Sequence, residues 1–148
     1  MRVLVVHHSK YGNGKQVADA IAEGIRSKGH TVEVKSVDDV DVAALGSYEA
    51  FAVGSPTHVA GPTFKIGGFI SKLSDVASGK PFVAWATHLD PKAKTVAKLE
   101  AKATKAKMRT LMAGKAFKVK DMKGPLEDGA LADASIFGKE IGTHLGSA

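Results

Sequence analysis

The stretch Val3-Leu4-Val5-Val6-His7-His8-Ser9-Lys10-Tyr11-Gly12-Asn13-Gly14 decides the fold. Its first four residues form a continuous apolar run, which is typical of a strand covered on both faces. Glycines then interrupt the run, and from Lys15 onward apolar residues recur on one face at helical spacing. These residues are Val17, Ala18, Ile21, Ala22 and Ile25. The stretch therefore predicts a buried strand, a tight loop and an amphipathic helix.

The same alternation of strand and helix continues along the chain. Further strands are predicted at 31–35, 50–54, 81–86 and 116–119, and helices at about 64–73, 91–112 and 128–145. Pro91 suits the first turn of the second of these helices, 91–112. Five strands separated by helices predict a doubly wound parallel sheet in three α/β/α layers. Because the sequence contains no repeat and no linker, we expect one domain over residues 1–148.

Composition limits the class of protein. The chain has 148 residues, of which 44% are hydrophobic and 24% charged, as in an ordinary soluble domain. It contains no cysteine, which excludes disulfides and favours a cytoplasmic location. We expect no signal peptide, and no apolar run approaches the roughly 18 residues of a membrane helix.

The loops that follow the central strands form the candidate site. In a doubly wound sheet, ligands bind beyond the carboxyl ends of the strands, where the strand order reverses. The loops 9–14, 55–61 and 87–90 should therefore converge. The first loop leads into a helix N-terminus, where free N–H groups and the helix dipole favour an anion. Lys10 and Lys15 add positive charge, so we expect a phosphate; the alternative is a tight turn that binds nothing.

Two other phosphate motifs do not match this loop. A P-loop requires glycine where the chain has Ser9, and serine or threonine where it has Gln16. The dinucleotide-binding fingerprint requires a third glycine where the chain has Val17. The loop is therefore predicted to be neither a nucleotide P-loop nor a dinucleotide-binding turn.

Two segments carry a resemblance to a known family. Ser9-Lys10-Tyr11-Gly12-Asn13-Gly14 resembles the flavodoxin loop that wraps the phosphate of FMN. Val53-Gly54-Ser55-Pro56-Thr57 resembles the flavodoxin segment beside the flavin ring, and Gly124-Pro125-Leu126-Glu127 resembles the segment before the last helix. The resemblance covers nearly the whole chain. It implies a flavodoxin-like sheet of order 2-1-3-4-5 and FMN as the cofactor.

The resemblance also implies which residues bind the cofactor. The first loop would hold the phosphate, residues 56–58 would lie along one side of the ring, and residues 87–89 along the other. The implied set is Ser9, Lys10, Tyr11, Gly12, Asn13, Gly14, Ser55, Pro56, Thr57, His58, Thr87, His88 and Leu89. Flavodoxins carry one or two electrons on the flavin, so the implied function is electron transfer between redox partners. No residue is assigned as catalytic.

Three features depart from the usual flavodoxin pattern. Gly14 stands where the family usually has threonine or serine, so one hydroxyl is missing from the phosphate loop. The ring loops offer His58 and His88 instead of tryptophan or tyrosine, because Trp85 lies inside a predicted strand as a core residue. The net charge is +6, whereas electron-carrier flavodoxins are typically acidic. The alternatives are an FMN-dependent quinone reductase, a protoporphyrinogen dehydrogenase-like enzyme and a flavin-free interaction module.

The positive charge is concentrated in residues 92–115, which hold eight basic residues and one acidic residue, Glu100. A surface of one sign attracts an oppositely charged partner. We expect an acidic redox protein that docks near the flavin, with an anionic membrane surface as the second choice. The alternative is a solvated face without a partner. Nucleic acid is not expected, because aromatic residues and a helix-turn-helix signature are missing from this segment.

The histidines do not predict a metal site. His7 and His8 are adjacent on a strand end, so their side chains point to opposite faces. His58 and His88 would meet across the site, but neither a cysteine nor a clear carboxylate completes a ligand set. Beside a flavin, these two histidines would be able to donate hydrogen bonds to the ring.

Overall fold

A computed structural model of the protein describes residues 1–9, 11–57, 61–90 and 93–146. The strands in these ranges are β1 (Arg2–His7), β2 (Thr31–Ser36), β3 (Ala50–Pro56), β4 (Pro81–His88), β5 (Arg109–Thr110) and β6 (Lys115–Lys118). The α-helices are α1 (Asn13–Arg26), α2 (Phe64–Val76), α3 (Thr95–Lys105) and α4 (Ala130–Gly146). Two short 3-10 helices, Val37–Asp39 and Val42–Ser47, connect β2 to β3.

The strands form a parallel sheet whose order is β2-β1-β3-β4-β5, with β6 also paired to β4. The central strand β1 pairs with β2 on one side and with β3 on the other. After β1 the chain forms β2 on one side of it. After β2 the chain crosses to the other side of β1, where it forms β3, β4 and β5. This order confirms the predicted doubly wound fold and places its switch point between β1 and β3.

The sheet edge beside β4 differs from the sequence prediction, which is one strand at 116–119. In the structure β5 pairs with Pro81 and Phe82, and β6 pairs with the other end of β4, residues 85–88. The predicted helix to about Met112 is also too long, because α3 ends at Lys105. A turn follows in which Lys107 has a φ of 64°, and Met108 is buried in the core. The start predicted at Pro91 lies outside the described residues.

The core consists of two apolar layers, one on each face of the sheet. Val3 and Val5 of β1 face the layer that contains α1 and α4. Leu4 and Val6 face the layer that contains α2 and α3. Trp85 is buried in the first layer, at 1% exposure, as expected of a core residue. Phe64, the first residue of α2, does not contribute to either layer, because its side chain is completely exposed.

Glycines set the distance between α1 and α4. A Cβ on Gly138 would lie 2.1 Å from the carbonyl oxygen of Ile21, and a Cβ on Gly24 would lie 2.2 Å from the carbonyl oxygen of Ser135. The backbones of the two helices therefore touch, which only glycine permits at these positions. Because α1 directly follows the loop 9–12, this contact also helps to fix where the start of α1 lies.

Among the described residues, no helix combines the length and the apolar character that crossing a membrane requires.

Candidate functional site

A cleft of about 500 Å³ lies at the carboxyl ends of β1, β3 and β4. Its walls come from the loops that follow these strands, together with a segment after β6. The lining residues are His8, Ser9, Tyr11, Asn13, Gly14, Pro56, Thr57, Thr87, His88, Leu89, Asp90, Val119 and Met122. The cleft therefore lies at the end of the sheet where a doubly wound fold binds its ligands.

Most residues of the predicted set line this cleft. Those that do are Ser9, Tyr11, Asn13, Gly14, Pro56, Thr57, Thr87, His88 and Leu89. Gly12 and Ser55 are not among the lining residues. Lys10 and His58 lie outside the described residues. The structure thus brings three separate predicted loops together around one space.

Four lining residues were missed by the sequence prediction. Asp90 lies inside the predicted loop 87–90, although it was not in the predicted binding set, and His8 directly precedes the predicted loop 9–14. Val119 reaches the cleft because its N–H donates to the carbonyl oxygen of His88, at 2.9 Å. Val119 lies at the end of the strand predicted at 116–119, so the sequence offered an indication that it reaches this end of the sheet. No sequence motif indicates that Met122 lines the cleft.

Ser9 contributes an unsatisfied hydroxyl to the cleft. Its Oγ is buried and has no hydrogen-bond partner among the described residues. A buried hydroxyl without a partner costs about 1–3 kcal/mol. Since Ser9 lines the cleft, an acceptor or donor on a bound ligand would recover this energy.

The start of α1 is open to an anion. Its N-cap is Gly12, which has a φ of 87° and no side chain to cap the helix. The first turn contains no acidic residue. The N–H groups of Asn13, Gly14 and Lys15 precede the first intrahelical bond, in which the N–H of Gln16 donates to the carbonyl oxygen of Gly12 at 3.1 Å. This arrangement suits a phosphate.

Lys15 was expected to add charge to the phosphate loop. In the structure its Nζ lies 2.9 Å from Oδ2 of Asp19, one helical turn further along α1. Both side chains are more than half exposed, so the pair contributes little to stability. The helix N-terminus, rather than this lysine, is the main positive feature of the described loop.

A second segment packs against the start of α1. Nδ2 of Asn13 donates to the carbonyl oxygen of Lys123 at 3.3 Å. The next residue, Gly124, has a φ of 95°, and a Cβ there would lie 2.6 Å from Oδ1 of Asn13. Nζ of Lys123 lies 5.9 Å from the ring centroid of Tyr11. These contacts hold the segment that brings Met122 to the cleft.

Ser55 holds the loop after β3 instead of facing the cleft. Ser55 is buried, with only 1% of the residue exposed. Its Oγ donates to the carbonyl oxygen of Pro56 at 2.7 Å and accepts from the N–H of Thr63 at 3.0 Å. Oγ1 of Thr63 in turn lies 2.8 Å from Nδ1 of His8. The hydroxyl of Ser55 is therefore already satisfied by the protein.

The two predicted ring loops are tied together by Thr57. Its N–H and its Oγ1 both donate to the carbonyl oxygen of Thr87, each at 3.0 Å. Oγ1 of Thr57 also lies 2.7 Å from Oγ1 of Thr95, the first residue of α3. The cleft wall, the end of β4 and the start of α3 therefore form one connected unit.

His88 is held in one tautomer. Its Nδ1 lies 2.9 Å from the carbonyl oxygen of Asp90, which can only accept, so Nδ1 carries the proton. The other ring nitrogen, Nε2, has no hydrogen-bond partner among the described residues. His88 itself lines the cleft. Nε2 of a neutral His88 therefore accepts a hydrogen bond, and it donates one after protonation. His58 cannot be compared with it, because it lies outside the described residues.

His7, at the end of β1, makes stability depend on pH. Burial lowers the pKa of His7 from its usual value of 6.5, and its Nδ1 has no partner among the described residues. His7 therefore binds a proton more readily in the unfolded chain than in the folded protein. The contribution of neutral His7 to the free energy of unfolding is complete above pH 6.5 and is lost as the pH falls below that value. In His7→Leu we expect a smaller loss of unfolding free energy between about pH 7.5 and about pH 5.5, measured by urea denaturation. Equal losses in both proteins would contradict this origin.

No group of three or more histidine and carboxylate side chains able to hold a metal occurs in the part of the chain that the structure describes.

A family model described as "Flavodoxin domain" matches residues 4–127 of this chain. A flavodoxin of Aquifex aeolicus is 36% identical over 73 residues, which cover 49% of this chain and 40% of that protein. The NAD(P)H dehydrogenase (quinone) of Acidovorax ebreus is 32% identical over 91 residues, which cover 48% of this chain and 46% of that protein. The matched part thus spans less than half the length of these curated relatives.

Among solved structures, a flavodoxin from the domain Archaea is similar over the whole length. Its TM-score with this chain is 0.86 at 26% sequence identity, and the alignment covers 99% of both chains. The alignment is therefore not limited to part of the sheet but extends over nearly the whole chain.

Proposed function

The chain belongs to the flavodoxin family, and we propose on this basis that it binds FMN in the cleft and carries electrons between redox partners. The observation that carries the proposal is the buried hydroxyl of Ser9, which has no hydrogen-bond partner among the described residues and lies beside the uncapped N-terminus of α1. Both features fit a phosphate. When bound, the flavin supplies transfer of one or two electrons.

The phosphate would be held by the loop between β1 and α1. Oγ of Ser9 and the first N–H groups of α1 supply hydrogen-bond donors, and the helix dipole supplies the favourable field. Gly12 adopts the left-handed conformation that lets the backbone turn toward the anion. Lys10 remains part of the proposed set.

The ring would lie between the loops after β3 and β4. Pro56, Leu89, Val119 and Met122 give this part of the cleft an apolar lining that excludes water. Thr57 keeps the two loops at a fixed separation through its bonds to Thr87. His88 presents the ring nitrogen that is not bound to Asp90. His58 stays in the proposed set on the resemblance alone.

Uptake of FMN is the direct test. Purified protein, stripped of any cofactor and titrated with FMN, should quench flavin fluorescence and retain flavin absorbance after gel filtration. Protein that stays colourless and does not take up added FMN would overturn the proposal. Mass analysis of the ligand released from the purified protein should identify FMN and not FAD.

An enzyme is the second candidate, because the matched relatives include NAD(P)H dehydrogenase (quinone). The two functions differ in what the holoprotein does alone. A carrier is expected to reach its acceptor only when a separate reductase is added. Steady turnover of NAD(P)H with a quinone, by the FMN-loaded chain alone, would favour the enzyme over the carrier.

Gly14 offers a test of the missing hydroxyl. It lies in the first turn of α1, and a Cβ there would lie 3.4 Å from Cβ of Ser9, an ordinary contact. Gly14→Ser is expected to stabilise the protein by about 0.5 kcal/mol through helix propensity. A new hydroxyl beside the phosphate should also lower the Kd for FMN by about tenfold, measured by fluorescence titration. A stability gain with an unchanged Kd would show that the phosphate lies elsewhere.

The partner is proposed to be an acidic redox protein that docks near the cleft and the lysine-rich segment 92–115. Its support is the charge balance of that segment, which contrasts with the rest of the chain. An anionic membrane surface is the weaker alternative, and nucleic acid is not proposed. We propose the cytoplasm as the location, on the support of the cysteine-free composition.

A further inference from the structure

Apart from Thr104, the exposed residues of α3 are all lysine or alanine, and they form one face. Its exposed residues recur at helical spacing from just before the helix to its last residue. They are Lys94, Ala97, Lys98, Ala101, Lys102 and Lys105, here named the α3 lysine stripe. The small alanines leave the ammonium groups as the most prominent features of this face, over a length of about 16 Å.

The N-terminal part of the stripe, Lys94 and Lys98, is unfavourable for the helix that carries it, whereas Lys102 and Lys105 lie in its last turn. Lys94 is the N-cap, it makes no capping hydrogen bond, and the first turn contains no acidic residue. A cation there opposes the helix dipole. Lys98 lies one turn from both Lys94 and Lys102, and like charges at this spacing repel each other. The start of α3 thus has both an unfavourable cap and unfavourable charges. Such a combination indicates that these lysines are kept for a function and not for the stability of the helix.

Within the described part of the chain, three of the four lysines of the stripe are not neutralised by acidic residues. The only acidic residue of α3 is Glu100, and its Oε2 accepts a hydrogen bond from the N–H of Gly114 at 3.1 Å. Among the described residues, no ion pair joins Lys94, Lys102 or Lys105 to a carboxylate. The positive potential of this face is therefore available to another molecule.

The stripe begins at the rim of the cleft. Thr95, the first residue of α3, contacts Thr57 of the cleft wall through their hydroxyls at 2.7 Å. The lysine side chains then follow the segment before α2 and α2 itself. Nζ of Lys98 would lie 3.3 Å from a Cβ on Gly61, three residues before α2, and Cε of Lys102 would lie 3.4 Å from a Cβ on Gly67 within α2. Glycine at these positions gives the stems room. The row of charges thus leads directly to the cofactor site.

We infer that the α3 lysine stripe is the docking surface for the acidic face of a redox protein, which reaches the cleft from the side of α2 and α3. The inference rests on the proposed electron-carrier function and adds the face and the residues that recognise the partner. Charge steering accelerates the encounter of such pairs. A stripe of this length also matches the small interfaces of transient electron-transfer complexes.

The position of the stripe favours a protein over other polyanions. A nucleic acid or a membrane has no electrons to exchange with the cleft, whereas a redox protein must come close to it. The stripe also lacks the aromatic side chains on which bases stack. The positive charge of the stripe and its position beside the cleft therefore both favour an acidic protein as the binding partner.

The test uses a soluble acidic [2Fe–2S] ferredoxin as the probe, at low ionic strength. Its affinity for the isotope-labelled protein is followed by amide NMR shifts, which do not require bound FMN. We expect shifts on α3 and on residues 61–67. Lys98→Glu with Lys102→Glu should weaken binding at least about tenfold. Lys28→Glu with Lys139→Glu changes the net charge equally at exposed positions, in the turn after α1 and on α4, and should weaken it less than about threefold.

Lys94→Asp separates docking from stability. An acidic N-cap satisfies the start of α3, so the Tm should rise. The same change removes a positive charge from the stripe, so the affinity for the ferredoxin should fall several-fold. If Lys94 had only a structural role, Lys94→Asp would not raise the Tm and at the same time lower the affinity for the ferredoxin.

Other outcomes overturn the inference. These are equal losses for the two double variants, a wild-type protein that does not bind the ferredoxin, and shifts on α3 produced by anionic vesicles but not by the ferredoxin. Failure to bind FMN in a separate titration would instead overturn the proposed function. The two failures are therefore distinguishable.

Discussion

Gly138→Ala should lower the free energy of unfolding by about 3 kcal/mol, at the upper end of the usual cost of overpacking. The new methyl group would lie 2.1 Å from the carbonyl oxygen of Ile21 and 3.0 Å from its Cα. These are backbone atoms, so no change of side-chain rotamer relieves the contact. The helices α1 and α4 must move apart instead, which opens the apolar layer around Ile25 and Ile141.

Gly68→Ala is the matched control for that loss. Gly68 lies within α2, its φ is not positive, and a Cβ there would meet nothing within 4 Å. The same substitution should therefore stabilise the protein by about 0.5–1 kcal/mol, because alanine favours the helix. Urea unfolding of both variants measures the difference. A loss in Gly138→Ala no larger than about 1 kcal/mol would contradict backbone contact between α1 and α4.

The same variant connects packing to the site. α1 begins at the phosphate loop, so a shift of α1 away from α4 also moves the first N–H groups of the helix. Gly138→Ala is therefore expected to bind FMN more weakly than the wild type, although Gly138 does not line the cleft. Gly68→Ala should leave the Kd for FMN unchanged.

The alternating elements and most of the cleft were predictable because they depend on local pattern. The apolar run of β1 and the periodicity after Lys15 define a strand and a helix without knowledge of their neighbours. The end of α3 at Lys105 was not predictable in this way, because lysine and alanine both favour a helix up to Met112. It is decided by tertiary structure, where Met108 is buried in the core and β5 pairs with β4.

Contacts between distant segments are the part that sequence patterns do not contain. Gly24 and Gly138 are ordinary helix residues in the sequence, and only the approach of α1 to α4 gives them their role. Met122 reaches the cleft because Asn13 and Gly124 hold its segment. The sequence also does not distinguish Ser9 from Ser55, since each lies at the carboxyl end of a predicted strand. Among the described residues, Ser55 has hydrogen-bond partners for its hydroxyl and Ser9 has none.

This difference between the two serines gives the strongest test of the cofactor site. In Ser9→Ala the buried Oγ that has no partner among the described residues is removed, so the cofactor-free protein should be as stable as the wild type or slightly more stable. The Kd for FMN should rise by about tenfold to hundredfold, as expected for loss of a hydrogen bond to a charged phosphate. Urea unfolding without FMN and fluorescence titration with FMN measure the two effects.

Ser55→Ala should show the reverse pattern. It removes an acceptor for the N–H of Thr63, which is buried at the start of α2, and a donor to the carbonyl oxygen of Pro56. Leaving the N–H of Thr63 unsatisfied should destabilise the cofactor-free protein by about 1–3 kcal/mol. The phosphate loop is untouched, so the Kd for FMN should change far less than in Ser9→Ala. If both variants lost affinity equally and Ser9→Ala also lost stability, Ser9 would be a structural residue and the phosphate would have to be held elsewhere.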